Sequence, residues 1–284
     1  MEEAVRKEIE KICNEELAKR TWGAKLSKAN KGGMPRYLIT DYRAFGLVTG
    51  IVRYYIRRED IHEKLFYRGQ TEEWPLKPSL YRNIETHDKM DLADSWRKQT
   101  LEILNKEKFD YKGTPDEREA LAQHYGLATS FIDIVDHFQT ALWFACDGQK
   151  DNNSVGYVYV ISVPEDEATI IDLRNKPSKW LRPHVQQGFC FKMNHITQCG
   201  RIPNDYHIMT LVVPRELLER WSNYDVIKHN YMYPPEEDDS SYGFWKRVED
   251  HLKKDGLDTN PQKWIEERIK ERNAEKGRVA DVAE

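Results

Sequence analysis

The stretch Gln123-His124-Tyr125-Gly126-Leu127-Ala128-Thr129-Ser130-Phe131-Ile132-Asp133-Ile134-Val135-Asp136-His137-Phe138-Gln139-Thr140-Ala141-Leu142-Trp143-Phe144-Ala145 decides how the chain is read. It opens with polar, hydrogen-bonding residues, passes through a short β-prone run and ends in an apolar helix. The Ala141-Leu142-Trp143-Phe144-Ala145 end is an almost unbroken apolar run, so it predicts core. His124, Tyr125 and Thr129 precede that core and are tied to it through a glycine. Polar groups carried by a rigid, buried element are well placed to form a binding site.

Working outward, Thr114-Pro115-Asp116-Glu117 is a helix start, with a threonine cap, proline at the first helical position and Glu117 spaced for a capping box. That helix runs to His124 and stops at Gly126. Residues 129–134 read as a strand, and Asp136 with Gln139 has capping-box spacing for the apolar helix, which ends at Gly148. Upstream, Glu2 to Arg20 is amphipathic through Val5, Ile9, Ile12 and Leu17. Asn30 to Pro35 is a loop signal, and Asp41 caps a second helix through Val48, Ile51, Val52 and Tyr55. Arg57 to Asp60 reads as a solvated turn. Leu65-Phe66-Tyr67 is a strand expected to stop at Arg68-Gly69-Gln70. Pro75 and Pro78 keep the next segment irregular, and a helix follows from about Asp91 to Lys108. Val155 to Val163 and His207 to Val213 are apolar on both faces, as central strands are. Pro164 to Glu167 reads as the first turn of a helix. Tyr233 to Ser241 reads as an exposed acidic loop, and the chain is helical from Lys263 onward.

These elements predict an α+β protein. Residues 1–60 form an N-terminal helical extension, 61–225 the core, and 226–284 an acidic loop with a C-terminal helix packed on that core. Hydrophobic residues make up 39% and charged residues 32% of the 284, which predicts a soluble globular protein with a charged surface. A net charge of −4 and a pI near 6.2 argue against a mainly electrostatic nucleic-acid binder. No apolar run reaches the length of a membrane span and the N-terminus has no signal-like apolar region, so the expected place is the cytoplasm. Cys13, Cys146, Cys190 and Cys199 have no metal spacing. Eight tryptophans are more than a core needs, and some could line a pocket for a flat ligand.

Arg68, at the end of an apolar strand and followed by glycine, could clamp a phosphate or carboxylate with its planar five-donor head; a surface ion pair is the plainer alternative. His124 could equally meet the last carbonyls of its helix. Asp133 lies within an apolar run, where a carboxylate must find donors, so it is a loop anchor or a site residue. His124, Asp133, Asp136 and His137 have the atoms for a divalent ion, but Asp136 already serves as a cap and the spacing fits no signature, so no metal is expected. Gln186-Gln187-Gly188 suggests a backbone bend that presents an amide. Glu165 and Glu167 read as a solvated helix start.

The motifs Phe66-Tyr67-Arg68-Gly69-Gln70, Trp74-Pro75-Leu76 with Pro78-Ser79-Leu80, Gln123-His124-Tyr125-Gly126-Leu127 with Thr129 and Ile132-Asp133, Ala141-Leu142 with Phe144-Ala145, and Gln186-Gln187-Gly188-Phe189 together resemble the FRG-domain family from about Leu65 to Phe191. The chain departs from that pattern at Ile134-Val135, where the family has Trp-Thr, and at Ser130, where arginine is usual. The motif order is also similar to that of ADP-ribosyltransferases. That likeness implies a split β-sheet core with flanking helices, NAD as a substrate and a protein or nucleic-acid acceptor. It is more distant, and it rests on analogy. It further implies a catalytic set of Arg68, His124, Thr129 and Gln187, with Gly69, Gln70, Tyr125, Asp133 and Gln186 binding the ligand. Arg68 would grip the pyrophosphate or ribose, Tyr125 would hold the nicotinamide, and Gln187 or Gln186 would face the ribose 2′-hydroxyl as an oxocarbenium-like state forms. The resemblance to the FRG-domain family, for its part, implies an effector role in phage-defence or toxin systems. A nucleotide- or phage-component-binding sensor without chemistry, or a purely structural network of Arg68, Asp133 and Gln187, would use the same residues.

Overall fold

The computed structural model describes residues 3–20, 25–27, 34–59, 63–107, 112–148, 154–177, 179–194 and 206–283. Within them lie eight strands: β1 (Lys25–Ser27), β2 (Arg36–Leu38), β3 (Glu63–Gln70), β4 (Ile132–Val135), β5 (Val155–Pro164), β6 (Ala168–Asp172), β7 (Gly188–Met193) and β8 (His207–Pro214). They form one mixed sheet in the order β1-β2-β8-β5-β3-β4-β7-β6. Only the β2–β8 pair is parallel. The helices are α1 (Glu3–Ala18), α2 (Tyr42–Arg58), α3 (His87–Lys106), α4 (Pro115–His124), α5 (Phe138–Cys146), α6 (Leu181–Val185), α7 (Arg215–Ser222), α8 (His229–Met232), α9 (Tyr242–Lys254) and α10 (Pro261–Ala283).

Strands β5 and β8 are buried along almost their whole length, as their two-sided apolar pattern requires. One face, through Tyr67, Val158, Val160 and Leu211, packs under α1, α2, α5 and α7. The other face carries Phe66, Tyr159, Ile161, Phe189 and Phe191. A further core is built from Trp96 and Leu104 of α3, Leu121 of α4, Trp245 and Val248 of α9, and Trp264 of α10. Each such side chain, fully buried, contributes about 1.5–3 kcal/mol.

Local signals fare well where a single residue sets them. Asp41 caps α2 by accepting from the Arg43 N–H at 2.8 Å. The capping box of α4 is complete, with Thr114 N–H donating to Glu117 at 2.7 Å and Glu117 N–H donating to the Thr114 hydroxyl at 3.2 Å. Elsewhere long-range partners win. Asp136 does not cap α5; it pairs with the Arg174 guanidinium at 3.0 Å, a stronger partner than a lone N–H. Helix α3 begins at His87 rather than Asp91. Strand β3 does not stop at Tyr67 but carries Arg68, Gly69 and Gln70 within it, because β5 pairs with it along its full length. Residues 165–167 form a turn between β5 and β6 rather than a helix start, with Glu165 held by Lys64 at 2.8 Å and Glu167 accepting from the Tyr206 hydroxyl. The acidic loop is not wholly exposed, since Asp239 is buried. Asn30 to Gly33, Asp60, Lys108 and Cys199 lie outside the described residues.

His207 is buried beside the Tyr159 ring, with Nε2 2.9 Å from the Thr210 hydroxyl, and burial pushes its pKa down to about 4. A group whose folded pKa lies below its unfolded value of about 6.5 stabilises the fold above that value, and the stability is lost as pH falls from about 6.5 to 4, by up to roughly 3 kcal/mol. His207→Gln should therefore melt with a flatter pH dependence over that window. Parallel melting curves for the two proteins would refute this.

Candidate functional site: a cleft between two splayed strands

Strands β3 and β4 pair at a single position, Tyr67 with Val135, although β3 is fully paired to β5 and β4 to β7. Beyond that point the ladder is not continued, and Arg68, Gly69 and Gln70 face Asp133 and Ile134 across a cleft of about 380 Å³. That volume is in the range of small-molecule sites, about 300–1,000 Å³. The guanidinium of Arg68 spans the gap. Its Nη1 donates to the Asp133 carbonyl at 2.6 Å and its Nε to Gln70 Oε1 at 3.3 Å. Gln70 is itself fixed by donating to the Trp74 carbonyl at 2.8 Å. Burial lowers the Arg68 pKa and Asp133 opposes that shift; a guanidinium stays charged throughout.

The second wall is the end of α4. Gly126 has φ +97, a left-handed turn that lets the chain leave the helix directly after His124. His124 is buried, with Nδ1 2.8 Å from Gln186 Oε1. Gln186 donates from its other end to the Met232 carbonyl at 2.8 Å, which fixes its orientation. Gln123 donates to Asp133 Oδ1 at 2.5 Å and accepts from the Thr129 hydroxyl. Of the two carboxylates in the cleft wall, Asp147 is held by the Tyr224 hydroxyl at 3.0 Å and His229 at 3.1 Å. The Asp133 side chain is 43% exposed. Its hydrogen bonds run through Oδ1, to Gln123 and to Cys190 Sγ at 3.3 Å.

Two further arginines reach the same cleft. Arg82 is exposed and makes no ion pair with the described residues. Arg182 donates from Nη1 to the His124 carbonyl at 2.5 Å and lies against the rings of Tyr125, Tyr233 and Tyr242.

The expected residues therefore divide. Arg68, Gly69, Gln70, His124, Asp133 and Gln186 line one cleft, whereas Tyr125, Thr129 and Gln187 do not. Tyr125 lies in the helical core, stacked on Trp245 at 5.1 Å and donating to Asp239 at 2.6 Å. Thr129 is fully buried and holds Gln123 in place. Gln187 is exposed at φ +50, the expected bend, but that bend sends Gln186 to the cleft instead. Of the four residues weighed for a divalent ion, His124 and Asp133 do meet. Asp136 is taken by Arg174, and His137 stacks on Phe138. Cys190, from the middle of β7, joins the first two, and one ligand atom from each of the three lies within 4.8 Å of the others. Arg82, Arg182, Gln123 and Cys190 went unread as site residues. Arg82 follows the Pro78-Ser79-Leu80 motif and Arg182 stands just before Pro183, but each looks like an ordinary surface arginine in sequence.

An α+β domain whose motif arginine bridges two parting strands is thus the class that this fold and cleft define. The FRG domain family matches residues 63–154, which span β3, β4 and α5, so the chain carries an FRG domain there. No curated protein and no solved structure matches the chain. No helix among the described residues is long and apolar enough to cross a membrane.

Proposed function

We propose that the cleft binds a phosphate-bearing nucleotide, with NAD as the substrate, and that it cleaves the nicotinamide–ribose bond. The observation that carries this reading is the charge arrangement. Arg68, Arg82 and Arg182 converge on one cleft, whose wall also carries the Asp133 carboxylate, 43% exposed and hydrogen-bonded to the described residues through Oδ1 alone. Arg82, open to solvent, and Arg68 would take the pyrophosphate in charge-assisted hydrogen bonds. Tyr233, which burial keeps neutral by pushing its pKa to about 12, offers a ring to a flat base. When the C1′–N bond breaks, its electron pair leaves with nicotinamide, and the Asp133 carboxylate would stabilise the positive ribose that remains. Water, or a protein or nucleic-acid acceptor in an ADP-ribosyltransferase, then adds at C1′ and releases one proton. The part played by the amide in the expected catalytic set passes here to Asp133. Division of the sheet at a single β3–β4 pair favours an ADP-ribosyltransferase-like arrangement, and a role as a phage-defence or toxin effector follows from that reading.

A binding module without chemistry is favoured by one observation: Gln186, the amide of the Gln186-Gln187-Gly188-Phe189 motif that reaches the cleft, is engaged at both ends and so is not free to face a ribose. Incubation with NAD separates the two readings. Release of nicotinamide supports the enzyme, and binding without release supports the sensor; no binding at all removes both. Arg82→Ala should weaken nucleotide binding about 10- to 100-fold, the worth of one or two charged hydrogen bonds, with no change in melting temperature. Arg68→Ala should abolish binding and also lower stability by about 1–3 kcal/mol, because the Asp133 carbonyl loses its donor. Calorimetric titration with NAD beside a thermal melt reads both.

A further inference from the structure

We propose that His124, Asp133 and Cys190 form a binding site for a divalent transition-metal ion of the zinc class, in the wall of the FRG cleft. The three donor atoms form a small triangle: Cys190 Sγ to Asp133 Oδ1 is 3.3 Å, Cys190 Sγ to His124 Nε2 is 3.7 Å, and His124 Nε2 to Asp133 Oδ1 is 3.5 Å. A tetrahedral zinc ion with bonds of about 2.0–2.3 Å sets its ligand atoms about 3.3–3.6 Å apart. The triangle therefore fits three vertices of such a site to within a few tenths of an ångström.

The hydrogen-bond pattern supplies an independent argument. Gln186 donates its amide N–H to the Met232 carbonyl, so its Oε1 is what faces His124 Nδ1. Nδ1 must therefore carry the proton, and in a neutral ring Nε2 presents a bare lone pair. That lone pair looks at the Cys190 sulfur and at Asp133 Oδ1, an oxygen that accepts from the Gln123 amide at 2.5 Å and from the Cys190 S–H, while no described N–H or O–H donates to Nε2 itself. Atoms with lone pairs turned toward one another repel unless a proton or a cation sits between them. A histidine whose far nitrogen is fixed by an amide oxygen is also how metal-binding histidines are oriented. Gly188 completes the support, since a Cβ there would stand 2.7 Å from the His124 ring.

Donor chemistry selects the ion. One sulfur, one imidazole nitrogen and one carboxylate oxygen suit zinc rather than magnesium or calcium. On binding, the Cys190 S–H bond breaks, its proton goes to solvent, and the thiolate and carboxylate together cancel the ion's two charges. Cys190 is fully buried behind the cleft wall, while His124 and Asp133 line it, so the fourth vertex opens on the cleft. Three protein ligands and one open position are the arrangement of a catalytic rather than a structural zinc site. The three donors would hold the ion whichever nucleotide the cleft takes.

The test uses cobalt(II) added to the full chain freed of metal by a chelator, with no nucleotide present. One equivalent should bind and produce a thiolate-to-cobalt charge-transfer band with strong tetrahedral visible bands, which zinc then bleaches. Cys190→Ser should lose the charge-transfer band, whereas a Cys13→Ser, Cys146→Ser double variant should keep it. Gln186→Leu should retain the band but bind cobalt about 10- to 100-fold more weakly. Absence of the band in the wild-type chain, or its survival in Cys190→Ser, would overturn the proposal. If Cys190→Ser does not fold, X-ray absorption on the zinc-loaded wild-type chain decides. One sulfur in the coordination shell supports the site, and a shell of nitrogen and oxygen alone refutes it.

Discussion

Glu119→Ala is expected to destabilise the protein by about 3–5 kcal/mol, the usual cost of removing one partner of a buried ion pair. Glu119 is 1% exposed on α4. Its carboxylate accepts from Arg97 of α3 through Nε at 2.8 and 3.0 Å and through Nη2 at 2.5 Å, and from the Ser130 N–H and hydroxyl, both at 2.9 Å. One side chain thus ties two helices to the segment that leads into β4, on which Asp133 stands. Alanine would strand the Arg97 guanidinium and two donors of Ser130. Glu119→Gln keeps an acceptor for Ser130 and should cost less, about 1–3 kcal/mol. Replacing Arg97 and Glu119 together by leucine should recover most of the loss, because apolar groups of similar volume often substitute for a buried pair at little cost. At about 2–4 °C per kcal/mol, the single alanine should lower the melting temperature by roughly 6–20 °C. A melt within a degree or two of wild type would show that the pair contributes nothing.

The contrast between Glu119 and the cleft residues shows which parts of this molecule were legible in its sequence. Signals that act over a few residues were readable: the Asp41 cap, the Thr114–Glu117 box, and the two-sided apolar runs of β5 and β8. The FRG arginine and glycine were readable too, because motif order survives without knowledge of contacts. Tyr125 was misplaced because an amphipathic ring suits a pocket and a core equally well. What settled it is Asp239, 114 residues downstream. Gln186 and Gln187 are neighbours on a bend, and only the backbone angle at Gln187 decides which amide enters the cleft. Cys190 is an apolar-looking residue in an apolar strand. Its meeting with His124, 66 residues away, follows from the strand order and from no local spacing.

Gly69→Ala is the other change expected to have a large effect, and it bears on why the motif arginine is followed by glycine. A Cβ at position 69 would lie 1.8 Å from the Ala141 carbonyl oxygen and 2.7 Å from the Ala145 amide nitrogen, both backbone atoms of α5. No side chain can swing away to relieve that contact, so either α5 must lift from the sheet or β3 must bow. Overpacking of an ordinary core costs about 1–3 kcal/mol, and a collision with fixed backbone should exceed the upper end. Strand β3 cannot yield cheaply, because β5 is paired with it at every position from Glu63 to Gln70. The movement therefore falls on α5 and on the junction at Tyr67 and Val135, where a single pair joins the two parts of the sheet. Arg68 adjoins Gly69, and its 2.6 Å bond to the Asp133 carbonyl spans that junction. The expected result is a loss of at least about 3 kcal/mol, with weakened ligand binding in whatever fraction stays folded. Gly46→Ala is the control, since its Cβ would meet nothing within 4 Å and alanine suits a helix better than glycine. If Gly69→Ala and Gly46→Ala melt alike in a calorimetric scan, α5 does not rest on Gly69 and the close approach assigned to this glycine is wrong.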